Sequence, residues 1–567
     1  MKKVDSFTQR KVVPLKIIVL LSVVLIMLAG SFVYLDSLDG RFIWDDNHLV
    51  KNNTYIRDLS CLPNIFTESL AGGSGDLYLA YRPLQILTYM FDYSLWGLNH
   101  FGFHLTNILL HILTALAVYW FVTILFDDRL LSLITGLLFA VHPIHTEAVC
   151  YISGRADPLS ALFILLSFIF YAKLEKKKNF FSEILIFVFY ILALLSRESS
   201  LILPLLIILY SYIFGRKINK RVLIVMLGTT AAYVFLRMTV LKFSVPLASN
   251  YASTTLLQRV PGFFAALGSY VSLLFLPLNL HMEYGIKLFY PAQLQVILGF
   301  IIFLLLVVYA FSKRGSNKLI SFALFWFLAA LLPVSNFYPI NSYMAEHWLY
   351  LPSVGFFLIS GWILTRLYRK RRCGVLMAVV ITGLLFFYGC LTVKQCDYWK
   401  DALTFYKRTL RCAPSSHRLY STLGNEYSQR GRYKEAIASC KRAIELKPDY
   451  SFAYYNLGNA YNSLGRYEKA IVSFRKSIEL NKTYVNSYNN LAIAYSLTGE
   501  LKKAVAASKE AIKLKPDYAL AHYNLALFYM RQGKSGLARQ SADRLVELGY
   551  DLPEKFIEMI SNPPEDK

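Results

Sequence analysis

The sequence predicts an all-α polytopic membrane protein that ends in an α-solenoid. Two observations predict it: long apolar runs recur through the first two thirds of the 567 residues, and a period of 34 fills most of the rest. Hydrophobic residues make up 56% and aromatics 15%, and the mean hydropathy of +0.41 exceeds what a water-soluble enzyme needs.

The apolar runs lie at 16–35, 104–126, 130–152, 158–173, 180–196, 199–214, 222–241, 261–278, 292–311, 319–338, 351–368 and 373–394. The first follows Lys2, Lys3, Arg10, Lys11 and Lys16 and lacks a small-residue cleavage site, so it is expected to remain as an anchor with a cytoplasmic N-terminus. Much of the net charge of +24 sits in four short clusters, KLEKKK (173–178), GRKINKR (215–221), SKRGSNK (312–318) and RKRR (369–372). Basic clusters between apolar runs follow the positive-inside rule and do not make a nucleic-acid footprint. If all twelve runs cross, the last two clusters fall opposite the first two. Keeping them together requires one run between 221 and 312 not to cross. The run 261–278, with its V-P-G start and Pro277, is expected to be re-entrant or interfacial, which leaves about eleven spans. Residues 1–395 then form the membrane domain, and 396–567 a domain outside the cytoplasm. That face is the plasma-membrane exterior in a prokaryote or the endoplasmic reticulum lumen in a eukaryote. Seven cysteines without a CxxC pair suggest no disulfide framework or zinc site; Cys396 and Cys412 are placed to pair outside the cytosol, with free thiols the expectation.

The repeats cover 417–450, 451–484 and 485–518, with a degenerate copy at 519–552, and they are tetratricopeptide repeats. Small residues at Gly424, Gly458, Ala492 and Ala526, and at Ala436, Ala470, Ala504 and Ala538, allow two helices to approach closely. Gly431, Gly465, Gly499 and Gly533 suit a left-handed turn between them, while Pro448 and Pro516 stop the second helix. Tyr427, Tyr461, Tyr495 and Tyr529 recur as packing aromatics. A half-repeat is expected at 399–416 and a cap at 552–561. Such an array offers a concave groove, expected to bind acceptor protein.

Ionisable residues gather at the predicted outer ends of the apolar runs, and charge at such positions is costly unless it is paired or used. Asp45 and Asp46 follow the first run; Arg82 and Asp92, His142, His145 and Glu147, Arg155 and Asp157, Arg197 and Glu198, Glu283, and Glu346 with His347 follow. Adjacent acids in extended backbone point to opposite faces, so one acts as general base while the other positions a neighbour. Arginines suit phosphate, because the guanidinium fork pairs with its oxygens. HPIHTE has metal-binding residue types, but Pro143 breaks the helix and His145 and Glu147 do not share a face, so hydrogen-bonded positioning is favoured. His104 and His111 are expected to bond between helices. NNT (52–54) and NKT (481–483) match the glycosylation sequon by pattern only.

The series WDDNHLVKNN (44–53), YRPLQILTYMFDYSLWGLNHFGFHLTNILLHILTAL (81–116), GLLFAVHPIHTEAVCYISGRADPLSALF (136–163), SRES (196–199) and LLPVSNFYPINSYMAEHWLYLPSVGFF (331–357) resembles the transmembrane and tetratricopeptide-repeat-containing proteins and their bacterial relatives. These are similar to protein O-mannosyltransferases of the GT-C glycosyltransferase fold. The resemblance implies transfer of a sugar, typically mannose, from a polyprenyl-phosphate donor to Ser or Thr of extracytoplasmic proteins. It also implies Asp45 as the base, with Asp46 second. The family often reads YDD where this chain reads IWDD, which leaves both acids in place.

The donor's phosphate and sugar are expected at Arg82, His142, His145, Glu147, Arg155, Asp157, Arg197, Glu198, Glu346 and His347. No metal ligand is assigned, although some GT-C enzymes use a divalent ion, which would lie near Asp45 or Glu346. A transferase acting on a lipid or polysaccharide, and a non-catalytic scaffold that binds proteins through its repeats, are the alternative readings. Nucleic acid is not an expected partner.

Overall fold

The computed structural model describes residues 14–74, 80–239, 241, 254–285, 287–340, 342–370, 372–550, 552, 556 and 558. Among them every regular element is a helix, and the chain divides into two compact units, Met1–Phe405 and Tyr406–Lys567.

In the first unit, six helices are long and apolar enough to cross a membrane: Leu15–Asp39, His100–Phe126, Ile152–Lys176, Lys220–Thr239, Leu294–Lys313 and Gly374–Asp397. Arg129–Val141 and Pro143–Cys150 make a seventh if taken together, bent by 52° where Pro143 removes a donor from the ladder. Phe180–Ser196, Glu198–Phe214, Lys318–Val334 and Ser353–Tyr368 are apolar but shorter, so helix length does not establish the expected eleven crossings.

The ends of these helices sort by charge. Arg369 pairs with Asp128, the Lys176 ammonium donates to Ile124 O, and Arg221 pairs with Glu183. Asn219 N donates to the Tyr171 hydroxyl, Arg314 to the Tyr212 hydroxyl and Lys318 to Phe214 O. These contacts gather all four basic clusters at one end of the bundle, beside Ile18 and Ser22 of the first helix. The acids and arginines singled out from the sequence collect at the other end.

The helix Leu256–Phe275 behaves differently. Near its start Arg259 donates to Asn336 O and Phe337 O, and just beyond its end Leu280 O accepts from Gln395. Both termini thus meet residues at or near the polar end. Its apolar face packs on Phe327, Leu328 and Leu331.

The second unit is built of helix pairs: His417–Gln429 with Tyr433–Leu446, Ser451–Ser463 with Tyr467–Leu480, Val485–Leu497 with Leu501–Leu514, and Ala519–Arg531 with Ser535–Glu547. Gly431, Gly465, Gly499 and Gly533 turn between helices at φ of 72°, 70°, 83° and 71°, where a Cβ is disfavoured. Ala436, Ala470, Ala504 and Ala538 are fully buried between helices. Ala402–Cys412 supplies the helix expected of the half-repeat. Most of the expected cap at 552–561 lies outside the described residues, although Phe556 stacks on Tyr523.

Replacing Gly465 with Val is expected to lower the stability of the array by about 1–2 kcal/mol. Thermal unfolding of the full chain followed by circular dichroism checks it.

Candidate active site at the polar end

The first helix ends in a short coil that enters a turn at Trp44, whose φ of 49° is unusual for an aromatic residue. The segment is therefore not the extended stretch expected from the sequence. The Asp45 carbonyl accepts from His48 N and Leu49 N as the chain winds into a π-turn at Asn47–Lys51. The turn still separates the two acids. Asp46 is fully buried, its Oδ2 accepting from Ile43 N at 3.0 Å and its Oδ1 from Ser153 N at 2.9 Å and Ser153 Oγ at 2.5 Å. Asp45 stays partly exposed, and its amide donates to the Tyr151 hydroxyl at 3.0 Å.

Both anchors come from one loop, Tyr151 to Asp157, which works as the hub of this end. Gly154 allows its tight packing, since a Cβ there would stand 2.6 Å from Glu147 O. Gln85 donates to Ser153 O, and the Tyr89 hydroxyl to Ile152 O, which fixes the helix Pro83–Trp96 against the hub. Arg82, the residue before that helix, meets Glu198 at 3.2 Å. Glu198 also faces Arg237 at 3.4 Å. Asp157, at the far end of the hub, pairs with Arg197 and acts electrostatically on Arg82. Three guanidinium groups thus share two carboxylates, an excess of one positive charge; Arg82, Glu198 and Arg237 are partly exposed, while Arg197 and Asp157 are buried.

Arg155, expected at the donor phosphate, has another use. Its guanidinium is wholly buried, 2.6 Å from Asp92, and it donates to Asn107 Oδ1 and Phe103 O over the ring of Tyr89. With these contacts it holds the hub to the helices Pro83–Trp96 and His100–Phe126.

The remaining expected residues form a second group on the other side of the hub. Glu147 accepts from His347 Nδ1 at 2.7 Å and from His347 N at 3.0 Å. Glu346 Oε1 accepts from His281 N and the Tyr284 hydroxyl. Burial and the neighbouring Glu147 carboxylate hold Glu346 well above the usual carboxylate range. His142 bonds Leu274 O and its own chain at Ile144 N, and His145 is buried between Phe139 and Tyr350. His104 meets Gly40 O, and His111 bridges the Tyr350 hydroxyl and Ala140 O, so these two bond between elements as expected.

Among the described residues no three His, Cys, Asp or Glu side chains gather in a set that could hold a metal ion. Asp46 spends both carboxylate oxygens on protein donors, whereas Glu346 spends only Oε1 and leaves Oε2 buried without one.

Arg237 was not singled out from the sequence. Its signal was present: an arginine in the last turn of the otherwise apolar run 222–241.

Family models of the tetratricopeptide repeat match residues 424–465 and 497–533, 451–484, and 473–506. A Caenorhabditis elegans protein named a protein O-mannosyl-transferase is 26% identical over 426 residues, 72% of this chain and 60% of that protein. Human protein O-mannosyl-transferase TMTC4 is 26% identical over 462 residues, 70% of this chain and 62% of its own length. The resemblance read from the motifs therefore holds over most of the chain, which spans about three fifths of these relatives. Human TMTC1 is 43% identical over a shorter stretch of 152 residues, 26% of this chain and 17% of that protein. A solved structure of MamA aligns over 26% of this chain and 86% of its own, at 29% identity and a TM-score of 0.25.

Two outcomes follow from this geometry. Asp46→Ala removes the acceptor of three donors, the buried Ile43 amide and the part-buried amide and hydroxyl of Ser153, so it is expected to cost about 2–3 kcal/mol, read as a lower melting temperature in detergent. Burial pushes the Asp46 carboxyl from 3.8 up to about 7 against the hydrogen bonds of Ser153 and Ile43 that pull it down. Between these values the folded chain binds more protons than the unfolded one, so this carboxyl's contribution to stability falls as pH rises from 4 to 7. Asp46→Asn should flatten that slope in a pH series of melts.

Proposed function

We propose that this chain, a relative of the transmembrane and tetratricopeptide-repeat-containing proteins named protein O-mannosyl-transferases, transfers a sugar from a polyprenyl-phosphate donor to Ser or Thr of proteins outside the cytoplasm. One observation carries the reading. Asp46 clamps the acid turn to the hub loop, and the same loop leads through Asp157 and Gln85 to the cluster of Arg82, Arg197, Glu198 and Arg237.

The division of labour follows from exposure. Asp45, partly exposed, removes the proton from the acceptor hydroxyl as its oxygen attacks C1 of the sugar. Asp46 holds the turn. Arg82 and Arg237 take the departing lipid phosphate, whose negative charge grows as the C1–O bond breaks. Glu198 keeps both guanidinium groups in place until the phosphate arrives. A single displacement of this kind inverts the anomeric carbon. Mannose is the sugar that the relatives' names suggest, and no step needs a metal.

The positive-inside rule puts the end with the four basic clusters in the cytoplasm and the polar end outside. The helix Gly374–Asp397 finishes at the polar end, where Gln395 bonds Leu280 O and Lys400 O accepts from Arg41 N. The repeats then follow on the extracytoplasmic side, where they bind the acceptor polypeptide.

Asp45→Asn is expected to fold and to abolish protein-bound sugar, measured by intact-mass analysis of acceptor proteins from cells carrying the wild-type or variant chain. Undiminished glycosylation overturns the base assignment. Arg237→Ala should raise the donor KM at least tenfold with little change in melting temperature. Reporter fusions after residues 214 and 312 are expected to read cytoplasmic, and one after 394 the opposite side.

A further inference from the structure

The sulfurs of Cys150 and Cys396 lie 2.9 Å apart although 246 positions separate them in the chain. Cys150 closes the helix Thr146–Cys150 just before the hub loop, and Cys396 is in the last turn of Gly374–Asp397. Both are buried, at 1% and 0% exposure. Trp399 stacks on Tyr151 with ring centroids 5.6 Å apart, so the two segments also meet through side chains beyond the cysteines. The Cys396 sulfur further contacts Val33 O at 3.7 Å, at the end of the first helix. The approach needed to reach the ~2.05 Å of a disulfide is under about 1 Å.

We propose that Cys150 and Cys396 form a disulfide in the mature protein, locking the hub loop to the last membrane helix. The proposal rests on the extracytoplasmic placement of the polar end, where oxidising conditions maintain such bonds. The oxidant is the disulfide of a thiol–disulfide exchange protein. One cysteine thiolate attacks it to give a mixed disulfide, and the other displaces the donor as a dithiol, so two electrons and two protons leave the chain. Because both sulfurs are buried in the folded protein, exchange precedes the docking of Gly374–Asp397, and the finished bond is shielded from reductants. The bond would fix Tyr151 and Ser153, the partners of Asp45 and Asp46, to a helix that is otherwise far away in sequence. It differs both from the free thiols expected from the sequence and from the alternative Cys396–Cys412 pairing.

The test is peptide mapping of the full chain from membranes, denatured in N-ethylmaleimide and digested without reductant. The expected result is one linked pair carrying Cys150 and Cys396, two hydrogens lighter than the separate peptides and released by dithiothreitol. Cys150→Ser and Cys396→Ser each remove it, and Cys412→Ser leaves it. Recovery of both cysteines in alkylated form overturns the bond, and copper phenanthroline treatment of the purified chain then identifies the fault. Cross-linking there means that the pairing geometry is right and the compartment wrong; no cross-linking means that the pairing itself is wrong.

Discussion

The polar end depends on one carboxylate bound to one serine. Asp46 is removed from water entirely, and a buried acid is tolerated only where hydrogen bonds replace its hydration. Ser153 supplies two of the three donors, from its amide and its hydroxyl, and so ties the chain after the first membrane helix to a loop about a hundred residues later. Everything else at this end is indexed to that loop. Gln85 and Tyr89 bond its carbonyls, Arg155 pins it to two helices, and Asp157 carries it to Arg197.

Charges at the two ends of the bundle serve different purposes. At the basic end, Arg369 is 57% exposed and Arg221 74%, so their pairs with Asp128 and Glu183 are worth little as interactions. In the proposed topology their weight is in orientation, since clustered lysine and arginine resist translocation. The polar end has few idle charges. Arg155 and Asp92 are a buried pair whose loss on one side would strand a charge, whereas Arg82, Glu198 and Arg237 remain partly open to water. That contrast separates a pair that holds helices together from side chains that water reaches.

The two compact units divide recognition from chemistry in the reading proposed here. The repeats hold their helices together through small residues and buried tyrosines, a construction that tolerates variation on its surface. The bundle invests its polar groups at one end. The relatives named protein O-mannosyl-transferases match about 70% of the chain, and the chain spans only part of their length.

Helices, repeats and the sorting of charge were legible in the sequence because each is a local or periodic pattern. Apolar runs specify membrane-length helices, a 34-residue period specifies stacked pairs, and four basic clusters between the apolar runs are plain in the sequence. The list of acids and arginines was readable too, because ionisable residues beside apolar runs are conspicuous. Tertiary structure alone decided which of two adjacent aspartates is buried, that Arg155 is a strut, that Arg237 joins Glu198, and that Cys150 faces Cys396. The physical reason is distance along the chain. Asp46 and Ser153, or Cys150 and Cys396, meet only after several helices have packed, and hydropathy carries no record of which side chains face each other across such contacts.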